Sequence, residues 1–81
     1  MMGWVLLKRA DCELCEEFAS DLARWSVGRS LPPLRSIDVD SDPTWRRRYG
    51  LRIPVLLWDG ELACATRFDA AELERLLRGI R

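Results

Sequence analysis

The stretch WVLLKRADCELC (residues 4–15) decides how this chain folds. Its apolar start, Trp4 to Leu7, predicts a buried strand, and the residues that follow recur at helical spacing: Leu14, Phe18, Leu22 and Trp25. Two cysteines three apart, after a strand and at a helix N-terminus, form the arrangement used for thiol–disulfide exchange. Unpaired backbone N–H groups and the helix dipole stabilise a thiolate on the first cysteine, and the thiolate is the reactive species.

Length and composition predict one domain spanning residues 1–81, with a modest apolar core: 48% of the residues are hydrophobic and four are tryptophan. The 13 basic and 13 acidic side chains balance, which argues against a nucleic-acid partner and against a polybasic membrane anchor. No apolar run approaches the length of a membrane-spanning helix, and the segment after Met1 lacks the layout of a signal peptide. We therefore expect a cytoplasmic protein.

Strand and helix signals alternate along the chain in the order β-α-β-α-β-β-α. We expect strands over residues 4–8, 35–39, 53–58 and 61–66, with helices over 12–27, from Asp42 to Gly50, and after Asp69. The first two strands should be parallel because a long helix joins them, and Asp59-Gly60 predicts a hairpin between the last two. Four residues form the expected buried stripe of the last helix: Leu73, Leu76, Leu77 and Ile80.

Four motifs occur in succession, CxLC at residues 12–15, YGxRxPVL at 49–56, Asp59-Gly60 and RFD at 67–69. Together they resemble short bacterial glutaredoxin-like proteins, whose physiological role is unassigned, and the likeness spans nearly the whole chain. The segment YGLRIPVLL (49–57) also resembles thioredoxins. The resemblance implies a thioredoxin-like α/β fold of glutaredoxin size, with a four-stranded mixed sheet flanked by helices.

Two cysteines are the candidate catalytic residues. Cys12 precedes the helix, so it should be exposed and act as the nucleophile, whereas Cys15, one turn later, should be more buried and resolve the mixed disulfide. The resemblance further implies that Ile53-Pro54 is a cis bond facing the pair, with the backbone beside Pro54 binding an extended thiol substrate. Arg9 occupies the position of a lysine in glutaredoxins.

The residues after the fourth strand depart from the glutaredoxin pattern. Glutaredoxins bind glutathione with a Gly-Gly pair there and an acidic residue that caps the last helix. Thr66-Arg67-Phe68 replaces the glycines, Asp69 keeps the capping role, and Phe68 should close part of the glutathione space. We therefore expect no cofactor, with glutathione disfavoured as a co-substrate. The expected partner of a monomeric protein is a protein or low-molecular-weight disulfide or thiol.

Charges near the cysteines act in opposite directions on the thiol pKa. Carboxylates at Asp11, Glu13, Glu16 and Glu17 raise it by repelling a thiolate, while Arg9 and the helix dipole lower it. We expect the Cys12 pKa to be less depressed than in strongly oxidising relatives, and hence a reducing character.

Other interpretations of the pair remain open. Zinc is disfavoured because the chain has no histidine and only one further cysteine, Cys64, although a cluster shared across a dimer stays possible. A second interpretation is that the cysteine pair is vestigial and does no turnover. A third is that the domain is a non-catalytic module that docks a protein partner around Cys12, Pro54 and Phe68. Cys12→Ser separates the two classes, because a redox enzyme loses turnover in this variant whereas a docking module keeps its partner. We expect Cys64 to be a core thiol.

Overall fold

A computed structural model describes residues 3–31 and 33–79, and within them the chain forms four strands and three helices. The strands are β1 (Trp4–Lys8), β2 (Leu34–Asp38), β3 (Val55–Trp58) and β4 (Glu61–Ala65). The helices are α1 (Glu13–Ser26), α2 (Pro43–Tyr49) and α3 (Ala70–Gly79). The predicted element order and α/β class are confirmed.

The sheet has the order β2-β1-β3-β4, with β1 at its centre. β1 pairs with β2 in parallel, from Trp4↔Leu34 to Lys8↔Asp38, and with β3 in antiparallel. Asp59 and Gly60, at φ values of 49° and 86°, join β3 to β4 in the predicted hairpin. The ends of β1, β2 and β4 and the start of β3 consequently lie at one end of the sheet.

Each face of the sheet carries its own apolar cluster, because alternate residues of a strand point to opposite faces. Leu6 and Leu56 pack with α1 and α3 on one face, while Leu7 and Val55 pack with α2 on the other. Ala63 is the extra residue of a β-bulge between Leu56↔Cys64 and Leu57↔Leu62. Ala63 and Cys64 therefore both belong to the α1/α3 cluster.

Side chains cap the helices at the predicted places. The Asp42 carboxylate accepts hydrogen bonds from the backbone N–H groups of Thr44 and Trp45, at 2.8 and 3.1 Å, and Pro43 opens α2. Asp69 accepts from the N–H of Glu72 at 3.2 Å at the start of α3. Gly28 follows α1 with a φ of 79°, as a C-terminal glycine does.

Several predicted boundaries differ from the structure. β2 covers 34–38 rather than 35–39, because the Asp38 carboxylate accepts the N–H of Asp40 and begins a 3₁₀ turn, Val39–Ser41. β3 starts at Val55, after the cis bond of Ile53-Pro54, and β4 ends at Ala65. α1 covers 13–26, with Cys12 and Val27 as its caps.

The predicted apolar rows of α1 and α3 are confirmed in part. Phe18 and Leu22 are buried in α1 as expected, whereas Leu14 is 46% exposed and Cys15 is buried. The predicted stripe of α3 is confirmed for Leu73, Leu76 and Leu77, whereas Ile80 lies outside the described residues.

Candidate functional site

Cys12 and Cys15 are joined by a disulfide at the N-terminus of α1, with their Cα atoms 5.2 Å apart. Cys12 is the N-cap residue, and its Sγ accepts a hydrogen bond from the backbone N–H of Cys15 at 3.1 Å. The sulfur thus takes the place that a Ser or Asp oxygen usually has at a helix start. When the disulfide is reduced, the same N–H and the helix dipole favour a thiolate on Cys12.

The two sulfur-bearing residues differ in exposure. Cys12 is half-buried, whereas Cys15 is buried at 3% exposure inside the first turn of α1. An incoming disulfide therefore meets Cys12 first, while Cys15 is held one helical turn away, ready to attack a bond formed on Cys12. This asymmetry is what a two-step exchange through a mixed disulfide requires.

A cleft of about 460 Å³ opens beside the disulfide. The cleft contains both cysteines and residues from the end of β1, the loop after it, α1 and the end of β2. Its lining is Lys8, Arg9, Ala10, Asp11, Cys12, Cys15, Glu16, Ala19 and Asp38. Of the five residues predicted to bind substrate, Arg9 alone lines this cleft.

Arg9 is held by other parts of the protein at the edge of that cleft. Its Nε and Nη2 donate to the two carboxylate oxygens of Asp40 at 2.8 and 2.9 Å, and Nη1 donates to the Gly50 carbonyl at 3.3 Å. The hydrogen bond raises the pKa of Arg9 and lowers the pKa of Asp40. The Arg9 charge beside Cys12 is therefore balanced by a carboxylate 31 residues away in the sequence.

The cis bond of Ile53-Pro54 lies at the same end of the sheet as the disulfide, immediately before β3. The backbone N–H of Thr66 donates to the Pro54 carbonyl at 2.7 Å, and the Thr66 hydroxyl donates to the Arg52 carbonyl at 3.1 Å. Ile53 lies outside β3 and takes part in no backbone hydrogen bond with another described residue. Thr66 thus fixes the proline loop and leaves the Ile53 backbone unpaired.

Phe68 and Asp69 lie at the start of α3. The Phe68 ring is half-buried and meets the rings of Phe18 and Trp25 edge-on, with centroid distances of 5.6 and 6.2 Å. It therefore turns towards α1. Asp69 caps α3, where its carboxylate accepts the backbone N–H of Glu72.

A second cleft, of about 280 Å³, separates α1 from the residues after β4. It is lined by Leu14, Glu17, Phe18, Asp21, Thr66, Arg67 and Phe68. Leu14 is the residue directly before Cys15, so this cleft borders the cysteine motif on the side of α3. Phe68 and Arg9 therefore border the cysteine motif in two different clefts.

Cys64 is a buried free thiol in β4, as predicted. Burial raises the pKa of this thiol above its usual value. Within residues 3–31 and 33–79, no group of three or more His, Cys, Asp or Glu side chains is arranged to hold a metal ion.

Two residues gain a part in the site that the sequence pattern did not assign to them. Asp40 neutralises Arg9, and a contact between residues 31 apart in the sequence is not predicted by any local sequence pattern. Thr66 has a φ of 70°, in the left-handed region where a β-branched residue is rare. The signal for Thr66 was its place where glutaredoxins have glycine.

The sequence matches the model of one protein family, described as glutaredoxin-like domain (DUF836), over residues 4–78. No curated protein matches the sequence. Within the described residues, no helix combines the length and apolar character needed to span a membrane.

Two solved structures share the fold. The solution structure of protein Ne2328 from Nitrosomonas europaea is 26% identical, with a TM-score of 0.81, covering 93% of this chain and 89% of that one. The X-ray structure of protein XcR50 from X. campestris is 31% identical, with a TM-score of 0.72, covering 98% of this chain and 100% of that one. The expected thioredoxin-like fold is thereby confirmed.

Proposed function

Because this chain belongs to the glutaredoxin-like domain family, we propose that it is a small thiol–disulfide oxidoreductase with Cys12 and Cys15 as its dithiol centre. One observation carries the proposal: the Cys12 sulfur caps α1, accepts the Cys15 N–H at 3.1 Å and opens into a cleft. A structural disulfide needs neither a cleft nor a helix N-terminus, whereas access from a cleft and the donors of a helix N-terminus both favour a reactive thiolate.

The reaction proceeds from the reduced pair in two exchanges. The Cys12 thiolate attacks one sulfur of a substrate disulfide, forms a mixed disulfide and releases the other substrate sulfur as a thiolate. The Cys15 thiol then loses its proton to solvent and attacks the Cys12 sulfur, which releases the second substrate thiolate. The substrate gains two electrons, and the protein is left with the Cys12–Cys15 disulfide seen in the structure.

The proline loop supplies the main-chain contact with the substrate in this proposal. Ile53 has no backbone hydrogen bond with the described residues, so its peptide groups are free to pair with an extended chain next to the attacked sulfur. The Thr66 N–H donates to the Pro54 carbonyl at 2.7 Å, and this hydrogen bond holds the neighbouring Ile53 backbone in position. Arg9, Phe68 and Asp69 border the bound substrate, with Arg9 on one side of the cysteine motif and Phe68 on the other.

Glutathione is a poor partner for this centre in our proposal. The Phe68 ring packs against α1 where glutaredoxins have glycine. Glutathione carries two carboxylates and a single ammonium group, so Asp11 and Glu16 in the cleft beside the disulfide repel it. Isothermal titration with glutathione measures this directly, and saturable binding at micromolar concentration would contradict it.

We also infer a monomer that works in the cytoplasm and has a reducing character. The reducing character is supported by the carboxylates near Cys12, which oppose the thiolate and so stabilise the disulfide relative to strongly oxidising relatives.

The test is reduction of insulin disulfides by the protein, with a dithiol reagent as the electron donor. The wild-type protein and Cys64→Ala are expected to accelerate the reaction, and Cys12→Ser is expected to show only the background rate of the reagent. Cys64→Ala is the matched control because it removes a thiol without touching the dithiol centre. A wild-type rate equal to background, with a partner protein still bound by Cys12→Ser, would support the docking module instead.

A further inference from the structure

Carboxylates border the dithiol centre on both sides. Asp11 and Glu16 line the cleft that contains the two sulfurs, Glu13 follows Cys12 directly, and Glu17 lines the second cleft. All four are exposed. Each ion pair formed among residues 3–31 and 33–79 involves other carboxylates, so these four retain their charge for an incoming molecule.

The cations of the same region do not cancel this charge. Arg9 is neutralised by its two hydrogen bonds with Asp40, which leaves Lys8 in the cleft against Asp11, Glu16 and Asp38. The Asp38 carboxylate accepts the Asp40 N–H and forms no ion pair among the described residues.

The second cleft has an apolar floor and little net charge. Asp21 is paired with Arg24, and the remaining charged side chains of its lining, Glu17 and Arg67, are opposite in sign. Leu14, Phe18 and Phe68 supply the apolar lining. A substrate chain that crosses the cysteine motif therefore meets apolar surface in the second cleft and unpaired carboxylates in the cleft that contains the two sulfurs.

We propose that the dithiol centre selects peptide or protein disulfides whose cysteines are flanked by lysine or arginine. This inference rests on the proposed oxidoreductase function and names its substrate class. The occupant of the two clefts is a cationic segment in extended conformation, because its positive side chains complement the carboxylates while its backbone meets Ile53. An acidic disulfide, including glutathione disulfide, meets like charge in the cleft that contains the two sulfurs.

The cations on the substrate affect the chemical step as well as the binding of the substrate. Negative charge is spread over three sulfurs when the Cys12 thiolate attacks, and a second thiolate leaves with the substrate. Cations next to the substrate cysteine stabilise that charge, whereas the protein supplies few free cations of its own at this place. Charge complementarity of this kind changes association rates by roughly 10-fold to 1,000-fold at low salt.

The experiment compares three disulfide peptides that are identical except for the residues flanking the cysteine, which are Lys, Gln or Glu. Pre-reduced protein is mixed with each peptide in a single turnover, and thiol release is followed at low and at high ionic strength. The Lys peptide is expected to react at least about tenfold faster than the Glu peptide at low salt, with the ratio falling as salt screens the charges. Reduction of the Gln peptide tests the proposed function separately.

Charge-neutral variants assign the effect to particular side chains. Glu16→Gln and the triple variant Glu13→Gln/Glu16→Gln/Glu17→Gln should lower the Lys-to-Glu rate ratio, the triple variant most. Glu61→Gln is the matched control, because Glu61 is an exposed carboxylate at the opposite end of the sheet and should leave the ratio unchanged. A change in the Cys12 pKa scales the rates of both peptides equally and cancels in the ratio.

Three outcomes separate the two proposals. A salt-dependent ratio that falls in the triple variant supports the inference. Equal rates for the three peptides overturn the inference and leave the oxidoreductase function standing. Absence of reduction of every peptide overturns the oxidoreductase function itself.

Discussion

Cys12 and Cys64 place their sulfur atoms in two opposite environments of one small protein. Cys12 lies at a helix N-terminus beside a cleft, and its sulfur accepts a backbone N–H. Cys64 lies in β4, 7% exposed within the α1/α3 cluster, where burial raises the pKa of its thiol. The fold therefore stabilises a thiolate at one sulfur and a protonated thiol at the other.

The two cysteines differ in the features that govern thiol reactivity, namely helix-terminal N–H donors, burial and access. A thiolate is stabilised by N–H donors and a helix dipole, and it is destabilised by apolar surroundings. Access adds to this effect, because a reagent reaches the Cys12 cleft from solvent but reaches Cys64 only when the protein opens. Both effects favour the same sulfur.

Alkylation of the reduced protein by iodoacetamide tests the comparison with the largest expected effect. Cys12 should be labelled at least about a thousandfold faster than Cys64, since labelling of Cys64 requires unfolding that costs roughly 5 kcal/mol or more. Site-resolved mass spectrometry at increasing times measures both rates, and unfolded protein in urea provides the control in which the two rates converge. Similar rates in the folded protein would show that Cys64 is accessible.

Leu73→Ala should remove part of the protection of Cys64 without changing Cys12. Leu73 is fully buried in the cluster that contains Cys64, and such truncations cost about 2–5 kcal/mol. Urea unfolding should show this loss, and Cys64 labelling should accelerate by roughly 30-fold to 3,000-fold because each 1.4 kcal/mol is tenfold. Leu51→Ala is the matched control, since Leu51 is fully exposed. Faster labelling of Cys12 in Leu73→Ala would mean that α3 also protects the dithiol centre.

Sequence pattern predicted the fold well because the signals are local. The apolar run in residues 4–7, the Asp42-Pro43 helix start and the Asp59-Gly60 turn each depend on neighbours in the chain, and each element was found. The boundary at Val39 was wrong because the Asp38 carboxylate competes for the backbone, which periodicity does not detect. Leu14 was placed in the apolar row of α1, but the helix turns it towards solvent and the second cleft.

The candidate site was predictable only in part. The cysteines and the cis bond of Ile53-Pro54 follow from motifs, whereas the pairing of Arg9 with Asp40 depends on the tertiary arrangement of the ends of β1 and β2. A sequence pattern assigns Arg9 a free positive charge, and the structure balances it. The electrostatic character of the cleft therefore required the structure.

Asp40→Asn tests that balance through the pH dependence of stability. The pKa of Asp40 is lowered by its hydrogen bond with Arg9, so the folded state favours the carboxylate. Its contribution is fully present above the ordinary carboxyl pKa of about 4 and is lost as the pH falls through the lower folded value. Arg9 stays protonated throughout, because its pKa is raised.

Urea unfolding of wild type and Asp40→Asn at several pH values measures the effect. The wild-type protein should be more stable at neutral pH, and the difference should shrink below about pH 4. The difference is expected to be small, since both side chains are about 40% exposed. A difference that persists unchanged in strong acid would assign it to packing rather than to charge.

Substitution of Thr66 is expected to change the stability least. Thr66 directly follows β4, the strand that carries Cys64, and its N–H bonds Pro54 at the end of the sheet where Cys12 lies. Its φ of 70° costs about 1–2 kcal/mol for a residue with a Cβ, while its hydroxyl bond to Arg52 returns roughly 0.5–1.5 kcal/mol. Thr66→Val keeps the strain and loses the bond, so it should be less stable than wild type.

Thr66→Gly relieves the strain, loses the same bond and adds the unfolded-state entropy of glycine, about 0.5–1 kcal/mol. The Gly variant should therefore lie within about 1 kcal/mol of wild type and be at least as stable as the Val variant. Urea unfolding of the three proteins measures these differences, and a Gly variant clearly less stable than the Val variant would contradict the strain. Because the backbone N–H to Pro54 survives in both variants, insulin reduction should remain within about twofold of wild type if Thr66 positions the proline loop through its backbone alone.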